Sequence, residues 1–544
     1  ASMFEPPLVE CTDLATLCTG SERALLQAIL PDFFATRRWY RGRHRALASM
    51  RIVGAVPIAA TDTGPIVCFV RCEYTSGEGE VYVLALAFVP DSAQVKLKEP
   101  LSVLAALKTK NGDGRLVDAL EEGGSSYPLI EAILAQRRFR AGPGEVVATS
   151  TINEEESRPL GDAYTISATH ANAAIRYGDR FILKVFRRVE DGISPEYELG
   201  RFLAARVPGL TPPVVGALEY RVGRKEPSTL AVLQGFVPNE GTAWDHAREE
   251  LGRFYDRVLT RPNALEHLPA EPIGNVVALS LQEPPTDVAE AIGHYREQAV
   301  LLGRRTAELH LALASERDDP AFAPEPYSSF DRRSLYQGLR NQVGRTLRTL
   351  RGSLPNLPSN VQGLARMVID AEPQILIRFE RLLHQRISAL RIRCHGDYHL
   401  GQVLFTGKDF VIIDFEGGGD ATLSERRRKR SPLRDVAGMV RSFHYASYTA
   451  LLDGGVREAD RVLAERWTHL WHMWVSAAFL RGYCNAANDA GFLPQDQEQL
   501  TILFDRFVLA KAFRELSNEL IEPGERVLVP LHGIAQMLDL LQRN

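Results

Sequence analysis

Three β-branched apolar runs near the start of the chain are separated by Gly, Ser, Thr and Asp. Such punctuation between alternating runs predicts a small antiparallel sheet, made of Arg51–Ile58, Pro65–Tyr74 and Glu80–Pro90. An amphipathic pattern over residues 21–36 predicts a preceding helix, capped near Ser21 and interrupted at Pro31. The chain therefore opens with a mixed helix and sheet region.

A change of pattern follows this region. Residues 116–140 have an apolar spacing that predicts a helix. Residues 141–162 are rich in Gly, Pro, Ser and Glu and have neither a helical nor a strand period. We therefore place the first domain boundary there, with a first domain at residues 1–150.

The next stretch predicts two strands around a small-residue turn, Thr165–Asp179, and then a strand at Arg180–Phe186. Lys184 lies in the middle of that strand, among large apolar residues. A helix is expected to begin at Pro195, because proline at the first helical position and acids in the first turn are start signals. Those acids are Glu196 and Glu198, and helical geometry does not choose between them as partners for Lys184.

A further apolar strand, Leu230–Pro238, ends this β-rich part, and a long, mostly helical segment follows. Clear helical stripes lie at Ala299–Leu313 and at residues 362–390. The pattern predicts an α+β chain, with a β-rich domain at residues 151–237 and a helical domain at residues 238–544.

Two short apolar runs around a polar turn carry the strongest chemical signal. The first contains His395-Gly-Asp397 with Gln402 five residues later, and the second places Asp414 directly after Val-Ile-Ile. This is the layout of a kinase catalytic loop followed by a metal-binding aspartate. In such sites one Asp accepts the substrate hydroxyl proton, while an amide and a second Asp hold Mg²⁺. Glycine after the histidine, in place of arginine, indicates the aminoglycoside-phosphotransferase branch, whose substrates are small molecules.

Composition excludes several other classes. The chain has 544 residues, enough for two or three domains, and a net charge of −4, which argues against a general nucleic-acid binder. Its six cysteines show no Cys-x-x-Cys spacing, so neither a zinc site nor a disulfide framework is indicated and a cytoplasmic location is expected. We find no signal peptide and no apolar run long enough for a membrane span.

Further motifs extend through most of the chain: Arg38-Trp-Tyr-Arg-Gly42, Leu183-Lys-Val-Phe-Arg-Arg188, Ser194-Pro-Glu-Tyr-Glu198, Leu233-Gln-Gly-Phe-Val-Pro238, His395-Gly-Asp-Tyr-His-Leu-Gly-Gln402, Ile413-Asp-Phe-Glu-Gly417 and Ser431-Pro-Leu-Arg-Asp-Val-Ala-Gly438. In these motifs the chain resembles bacterial maltokinases, including the form fused to trehalose synthase. The resemblance implies a bilobal, protein-kinase-like fold of the aminoglycoside-phosphotransferase type with an extra N-terminal α/β cap. It also implies transfer of the ATP γ-phosphate to the anomeric hydroxyl of maltose, which gives maltose 1-phosphate for α-glucan synthesis, and an association with trehalose synthase.

The same resemblance implies roles for individual residues. Lys184 would hold the ATP phosphates and pair with Glu198, the better-matching acid, while Asp397 would be the base. Metal ligands would be Gln402, Asp414 and, in an assisting role, Glu416. The remaining expected residues contact ATP (Asn172, Gln234, Phe236, Val237), contact the sugar (His399, Arg434, Lys511, Arg514, Asn518) or support the catalytic loop (His395, Asp435).

Some positions depart from the maltokinase pattern. Gly418 and Gly419 replace Glu-Pro, His444 replaces an aspartate, and Arg514 and Asn518 replace two tyrosines of the helix that contributes to the sugar pocket. These changes leave two alternatives open. The chain could phosphorylate another sugar, an amino sugar or an aminoglycoside, or it could be a degenerate kinase that serves as a binding module. Intact Lys184, Asp397 and Asp414 argue against the second alternative.

Overall fold

The computed structural model describes residues 4–59, 61–93, 102–153, 158–166, 172–260, 270–384, 386–419, 421–454 and 456–541. The small-residue turn predicted within Thr165–Asp179 falls partly on residues 167–171, which lie outside these ranges. The chain forms two compact units. The first comprises the chain up to Ala205 with Pro212–Pro238 and Gly419–Leu423, and the second comprises Arg206–Thr211, Asn239–Gly418 and the chain from Ser424 onwards.

The strands of the first unit form two sheets. Their bounds are β1 Leu8–Glu10, β2 Leu47–Pro57, β3 Ile66–Tyr74, β4 Glu80–Pro90, β5 Val103–Thr109, β6 Gly112–Asp118, β7 Arg138–Ala141, β8 Gly144–Ser150, β9 Ala163–Ile166, β10 Asn172–Tyr177, β11 Phe181–Phe186, β12 Arg188–Val189, β13 Val214–Arg221 and β14 Ser228–Gly235. The first sheet has the order β1-β5-β6-β4-β3-β2, with β12 also paired to β4, and the second has the order β7-β8-β13-β14-β11-β10-β9. The antiparallel sheet predicted at residues 51–90 is confirmed as β2–β4.

The helices of the first unit include α1 Leu14–Thr19, α2 Arg23–Ala35, α3 Ala119–Glu122, α4 Tyr127–Leu134 and α5 Pro195–Arg206. Helix α2 continues through Pro31, so the predicted break there was wrong. A proline inside a helix costs about 3 kcal/mol, which the burial of Leu30, Phe33 and Phe34 offsets.

Both sheets of the first unit contribute to one hydrophobic core. It joins Val67 and Val83 of the first sheet to Leu183 and Leu230 of the second, with α4 contributing Ile130. The opposite face of the first sheet packs against α1 and α2. The first sheet is therefore covered on one face by helices and on the other by the second sheet.

Two predictions for this region were wrong. Residues 116–140 are not one helix, because residues 116–118 end β6, Gly123 has φ 85° and separates α3 from α4, and β7 begins at Arg138. Residues 141–162, predicted as a linker, contain β8, which pairs with β13 in the second sheet. A domain boundary at residue 150 stays a prediction.

The second unit is mostly helical. Its helices are α6 Ala243–Leu259, α7 Val276–Leu279, α8 Thr286–Ile292, α9 Tyr295–Leu313, α10 Ser329–Ser353, α11 Ser359–Asp370, α12 Glu372–His384, α13 Leu423–Arg426 (which begins in the last residue of the first unit), α14 Leu433–Asp453, α15 Arg461–Ala486, α16 Gln497–Glu519 and α17 Leu528–Met537. The single helix predicted at residues 362–390 is the pair α11 and α12. No helix among the described residues is long and apolar enough to cross a membrane.

Two short two-stranded sheets complete the second unit. Strand β15 Glu325–Pro326 pairs with β16 Leu390–Arg391, and β17 Val403–Phe405 pairs with β18 Phe410–Ile412. The β17–β18 hairpin carries the motif residues, since Gln402 directly precedes β17 and Asp414 follows β18 by two residues.

Candidate active site

Lys184 lies on β11 and forms an ion pair with Glu196 of α5, with 2.8 Å between Nζ and Oε1. The Glu196 side chain is fully buried and accepts a second hydrogen bond, also 2.8 Å, from Nε2 of Gln234. The strand register explains this arrangement. Ile182 is opposite Gln234 and Lys184 is opposite Val232, so the Lys184 and Gln234 side chains share one face of the sheet.

This geometry adds Glu196 to the residues expected around Lys184. The sequence resemblance favoured Glu198 as the partner of Lys184, and that role stays a prediction, while the structure shows an ion pair with Glu196 at the start of α5. Glu198 is also buried, with 8% of its surface exposed. Gln234, expected near ATP, uses its amide to orient Glu196. It is thus placed to act on ATP through Glu196 and Lys184.

The other residues expected near ATP are placed around the end of β14. The backbone N–H of Phe236 donates to the carbonyl of Arg180 at 2.7 Å, and the expected contact of Phe236 with ATP stays a prediction. The Phe236 ring lies under the guanidinium of Arg176 at 4.0 Å. Val237 is half-buried, and Asn172 is buried at the start of β10.

Gln402 and Asp414 meet at the open end of the β17–β18 hairpin. Val403 is opposite Ile412, and the N–H of Ile413 donates to the Gln402 carbonyl at 3.0 Å. Asp414 has φ 67°, one of three described non-glycine residues with positive φ. A non-glycine residue in this region costs of order 1–3 kcal/mol, and such strain concentrates at functional sites.

These two side chains fit a magnesium ion chemically. Mg²⁺ prefers oxygen ligands and is usually bound through one or two carboxylates together with substrate phosphates. Within the described residues, no group of three or more His, Cys, Asp or Glu side chains is arranged to hold a metal. Glu416, expected to assist, has its carboxylate 3.4 Å from the guanidinium of Arg426, which also donates to the Glu416 carbonyl. The carboxylate of Glu416 is therefore already close to a cation, and the metal roles of Gln402, Asp414 and Glu416 stay predictions.

Asp397 lies beside two basic side chains of the second unit. Lys511 of α16 is 3.3 Å from Oδ1, and Nε2 of His399 is 3.8 Å from Oδ2. Burial opposes ionisation of Asp397, but Lys511, His399 and His395 outweigh it and hold the pKa below its usual value. Burial also lowers the pKa of His399, whose Nδ1 accepts the N–H of Gly401. His399 is thus neutral at pH 7, with its proton on the nitrogen that faces Asp397.

A buried network holds the backbone around Asp397. The carboxylate of Asp435 accepts the N–H groups of His395 and Gly396 at 2.8 and 3.0 Å, and contacts Nε2 of His310 at 2.9 Å. The His395 ring donates in turn to the carbonyl of Ile413, next to Asp414. Although burial opposes it, the bond from His310 lowers the pKa of Asp435. Asp435 and His395 therefore link the two aspartate segments.

Cationic side chains also lie close to one another in the second unit. Arg434 precedes Asp435, and Arg514 lies one helical turn after Lys511. Burial, reinforced by Arg430 and Arg514, lowers the pKa of Arg434 to about 10. Arg514 and Asn518 are exposed. Arg441 of α14 was not predicted from the sequence. It is bound to Glu515 of α16 at 2.7 Å, a pair that only the packing of α14 on α16 reveals.

Comparisons with known proteins address the cap and the fold. Residues 33–121 match the family model of the maltokinase N-terminal cap domain. The chain therefore carries a maltokinase N-terminal cap. This match confirms the predicted resemblance over the residues that it covers.

A solved structure of glucosamine kinase with glucosamine, ADP and inorganic phosphate aligns with 94% of this chain and with 99% of its own chain, at 18% identity and a TM-score of 0.60. A second glucosamine kinase structure (crystal form B) covers 95% and 99%, with 17% identity and a TM-score of 0.60.

Two curated proteins also align with parts of this cap-bearing chain. Glucosamine kinase of Streptacidiphilus jiangxiensis is 23% identical over 40% of this chain, and glucosamine kinase of Mycolicibacterium smegmatis is 34% identical over 12%. The alignments span 39% and 18% of those proteins. The α+β kinase-like fold with an N-terminal cap is confirmed by the structural match.

Proposed function

We propose that this chain is an ATP-dependent sugar kinase that phosphorylates the anomeric hydroxyl of maltose. The observation that carries the proposal is the match of residues 33–121 to the cap of maltokinases. The ionised Asp397 held beside Lys511 supports it, because phosphoryl transfer needs a positioned base and positive charge.

Each unit would supply part of the chemistry. In the first, Lys184 would bind the ATP phosphates, held in position by Glu196. In the second, Gln402 and Asp414 would hold Mg²⁺, which when bound offsets the negative charge of the phosphates. Asp397 would orient the sugar hydroxyl and accept its proton. Lys511 would add positive charge beside the transferred group, and His399, neutral, would contact the sugar.

Glucosamine is the second candidate acceptor, since the curated relatives are glucosamine kinases. A protonated amine beside Asp397 would meet Lys511, which lies one helical turn before Arg514, and like charges brought together at a binding site are unfavourable. The cationic surroundings of Asp397 therefore favour a neutral sugar over an amino sugar or an aminoglycoside. Formation of maltose 1-phosphate for α-glucan synthesis, a cytoplasmic location and an association with trehalose synthase belong to the same proposal.

ADP release with Mg²⁺ and ATP would test the acceptor across maltose, glucose, glucosamine, trehalose, maltotriose and kanamycin. We expect maltose to give the highest kcat/KM and glucosamine and kanamycin the lowest. A preference for glucosamine would overturn the maltose assignment and keep the kinase chemistry. Absence of both ADP release and ATP binding would favour the degenerate binding module.

A further inference from the structure

Helix α14 is hydrogen-bonded directly to the catalytic loop. Near the start of the helix, the carboxylate of Asp435 accepts the backbone N–H groups of His395 and Gly396. Two turns later, Oγ of Ser442 accepts the backbone N–H of Leu400 at 3.0 Å. These bonds fix the position of the loop, and of the candidate base within it, relative to α14.

Helix α14 is also bonded to α16. Nε and Nη2 of Arg441 donate to Oε2 of Glu515 at 3.0 and 2.7 Å. One turn later on both helices, the hydroxyl of Tyr445 donates to Glu519. Arg441 is 2% exposed, and a Cβ added at Gly533 of α17 would lie 2.2 Å from its Nη1, so the guanidinium has little room to move. Helix α14 thus holds both the catalytic loop and α16.

Lys511 lies on the same face of α16, one turn before Glu515. Side chains four residues apart on a helix are neighbours, and a lysine and a glutamate at this spacing attract each other. Nζ of Lys511 nevertheless lies 3.3 Å from Oδ1 of Asp397. The Glu515 side chain is 14% exposed and that of Asp397 is 35% exposed. Because attraction between charges grows with burial, an uncompensated Glu515 would draw Lys511 more strongly than Asp397 does.

The guanidinium of Arg441 removes this competition. A carboxylate that already accepts two N–H groups from an arginine has its charge compensated, so it attracts a second cation less. The flexible four-carbon side chain of Lys511 then extends to Asp397 instead.

We propose that Arg441 is a positioning residue, which engages Glu515 and thereby keeps Lys511 beside Asp397. Arg441 acts through Glu515 and Lys511 and needs no contact of its own with sugar or ATP. The catalytic consequence rests on the proposed kinase reaction, in which Asp397 accepts a proton and Lys511 adds positive charge beside the transferred group. The arrangement of the side chains does not depend on that reaction.

Two substitutions at the same ion pair distinguish this role from a merely structural one. Arg441→Met leaves the Glu515 charge without its partner, so we expect Lys511 to turn to Glu515 and to leave Asp397. Glu515→Gln removes the competing charge, so Lys511 should stay on Asp397. The double variant Arg441→Met/Glu515→Gln should also keep the contact with Asp397. If the pair served only to hold α14 on α16, both single changes would disturb Lys511 and the double variant would not recover.

Crystal structures of the three variants give the first readout, which is the distance from Nζ of Lys511 to Asp397 and to residue 515. We expect a hydrogen-bond distance to Glu515 in Arg441→Met and to Asp397 in the other two. Arg351→Met, which breaks an ion pair between α10 and α12, is the matched control and should leave Lys511 on Asp397. Lys511 still on Asp397 in Arg441→Met, or displaced from it in the double variant, would overturn the proposal. The double variant keeps the test decisive if Arg441→Met does not fold.

The pH dependence of turnover gives the second readout. Burial opposes ionisation of Asp397, and Lys511, His399 and His395 hold its pKa below the usual value. Loss of Lys511 should move the acidic limb of the kcat/KM profile to higher pH and lower kcat about tenfold or more. We expect both effects in Arg441→Met and neither in Glu515→Gln, and equal effects in the two variants would contradict the assigned role. A wild-type protein without turnover, together with the expected distances, would reject the kinase reaction and support the arrangement.

Discussion

Two acidic residues, two positions apart in the sequence, are candidates for the ion-pair partner of Lys184. Glu196 accepts hydrogen bonds from both Lys184 and Gln234. We predict that Glu196→Gln lowers kcat/KM for ATP about a hundredfold, because Lys184 loses its anchoring charge, equivalent to roughly 2.7 kcal/mol. Steady-state kinetics with varied ATP measures this. Glu198→Gln, measured in parallel, compares the two acids, and a larger loss in Glu198→Gln than in Glu196→Gln would make Glu198 the main partner.

The role of Asp397 is testable by a single isosteric change. Asp397→Asn keeps the side-chain shape but removes the proton acceptor, so we expect kcat to fall about a hundredfold or more, the usual range for a general base. Affinity for ATP, measured by calorimetry, should stay close to that of wild type. Turnover retained at the wild-type rate would remove Asp397 from the base role.

At the residue scale, the spacing of residues along the chain predicted which of them lie close together only where those residues are near each other in sequence. The interval between Asp397 and Gln402, and the apolar run before Asp414, predict a catalytic loop followed by a metal-binding aspartate, and the structure places Gln402 and Asp414 directly before and after the β17–β18 hairpin. The choice of Glu196 depends on the register of β11 against β14, which brings Gln234 to the same face. That register depends on residues far apart in sequence, and the sequence gives no signal of it. The same holds for the ion pair between Arg426 and Glu416.

Helices α9 and α15 pack through reciprocal glycine contacts. A Cβ at Gly303 would overlap the carbonyl oxygen of Phe479, and one at Gly482 would overlap that of Val300. We predict that Gly303→Ala lowers the free energy of unfolding by about 1–3 kcal/mol, as overpacking does. Urea denaturation measures this change, and Gly338→Ala is the control. Gly338 lies on an exposed face of α10, where an added Cβ would meet nothing within 4 Å. Because alanine is the better helix former, this control should gain about 0.5–1 kcal/mol, and equal effects of the two changes would contradict the packing.

The histidines between α14, α15 and α17 make stability depend on pH. Their pKa values are lowered in the fold, so below about pH 6.5 the unfolded chain binds protons that the folded chain does not. Stability is therefore lost as the pH falls from about 6.5 towards 4, by at most about 1.4 kcal/mol per pH unit for each histidine.

The His444→Leu variant isolates this contribution from that of the carboxylates. Thermal unfolding of both proteins between about pH 7 and pH 5 should show a smaller loss of Tm in the variant. Parallel curves would mean that His444 is protonated in the folded state.

Helices and strands could be predicted from the sequence where a single hydrophobic periodicity, that of a helix or that of a strand, dominates the segment. The alternation in β2–β4 and the helical stripe of α9 predicted their elements, with end points that differ by a few residues. Strand β8 was missed because its residues are held by pairing with β13, which is distant in sequence. The break between α3 and α4 depends on the positive φ of Gly123, which an apolar pattern does not reveal.

At the scale of the whole molecule, the motifs predicted the fold better than the hydrophobic pattern did. The kinase-like fold and the cap agree with the structural and family matches. The relation of the cap to the following sheet was not predictable, because the two sheets of the first unit bury their apolar residues in a common core. A domain boundary that is placed by glycine and proline content does not reveal a hydrophobic core shared by the residues on both sides of it.

That common core leads to a prediction about truncation. A chain that starts at Ala163 lacks the first sheet, α4 and strands β7–β8, and so exposes Leu183, Leu218 and Leu230. Since burying each such side chain contributes about 1.5–3 kcal/mol, we expect this fragment to lose cooperative unfolding and to be recovered mainly in the insoluble fraction. Differential scanning calorimetry and soluble yield measure both effects.

A second truncation separates loss of strand pairing from loss of the core. Starting the chain at Arg138 keeps all the described strands of the second sheet, including β7 and β8, but still removes the first sheet and Ile130 of α4. If the shared core is what the cap contributes, this longer fragment should fail almost as severely as the shorter one. If it instead unfolds cooperatively near the wild-type Tm, the second sheet is stable without the cap, and the cap's contribution lies outside stability.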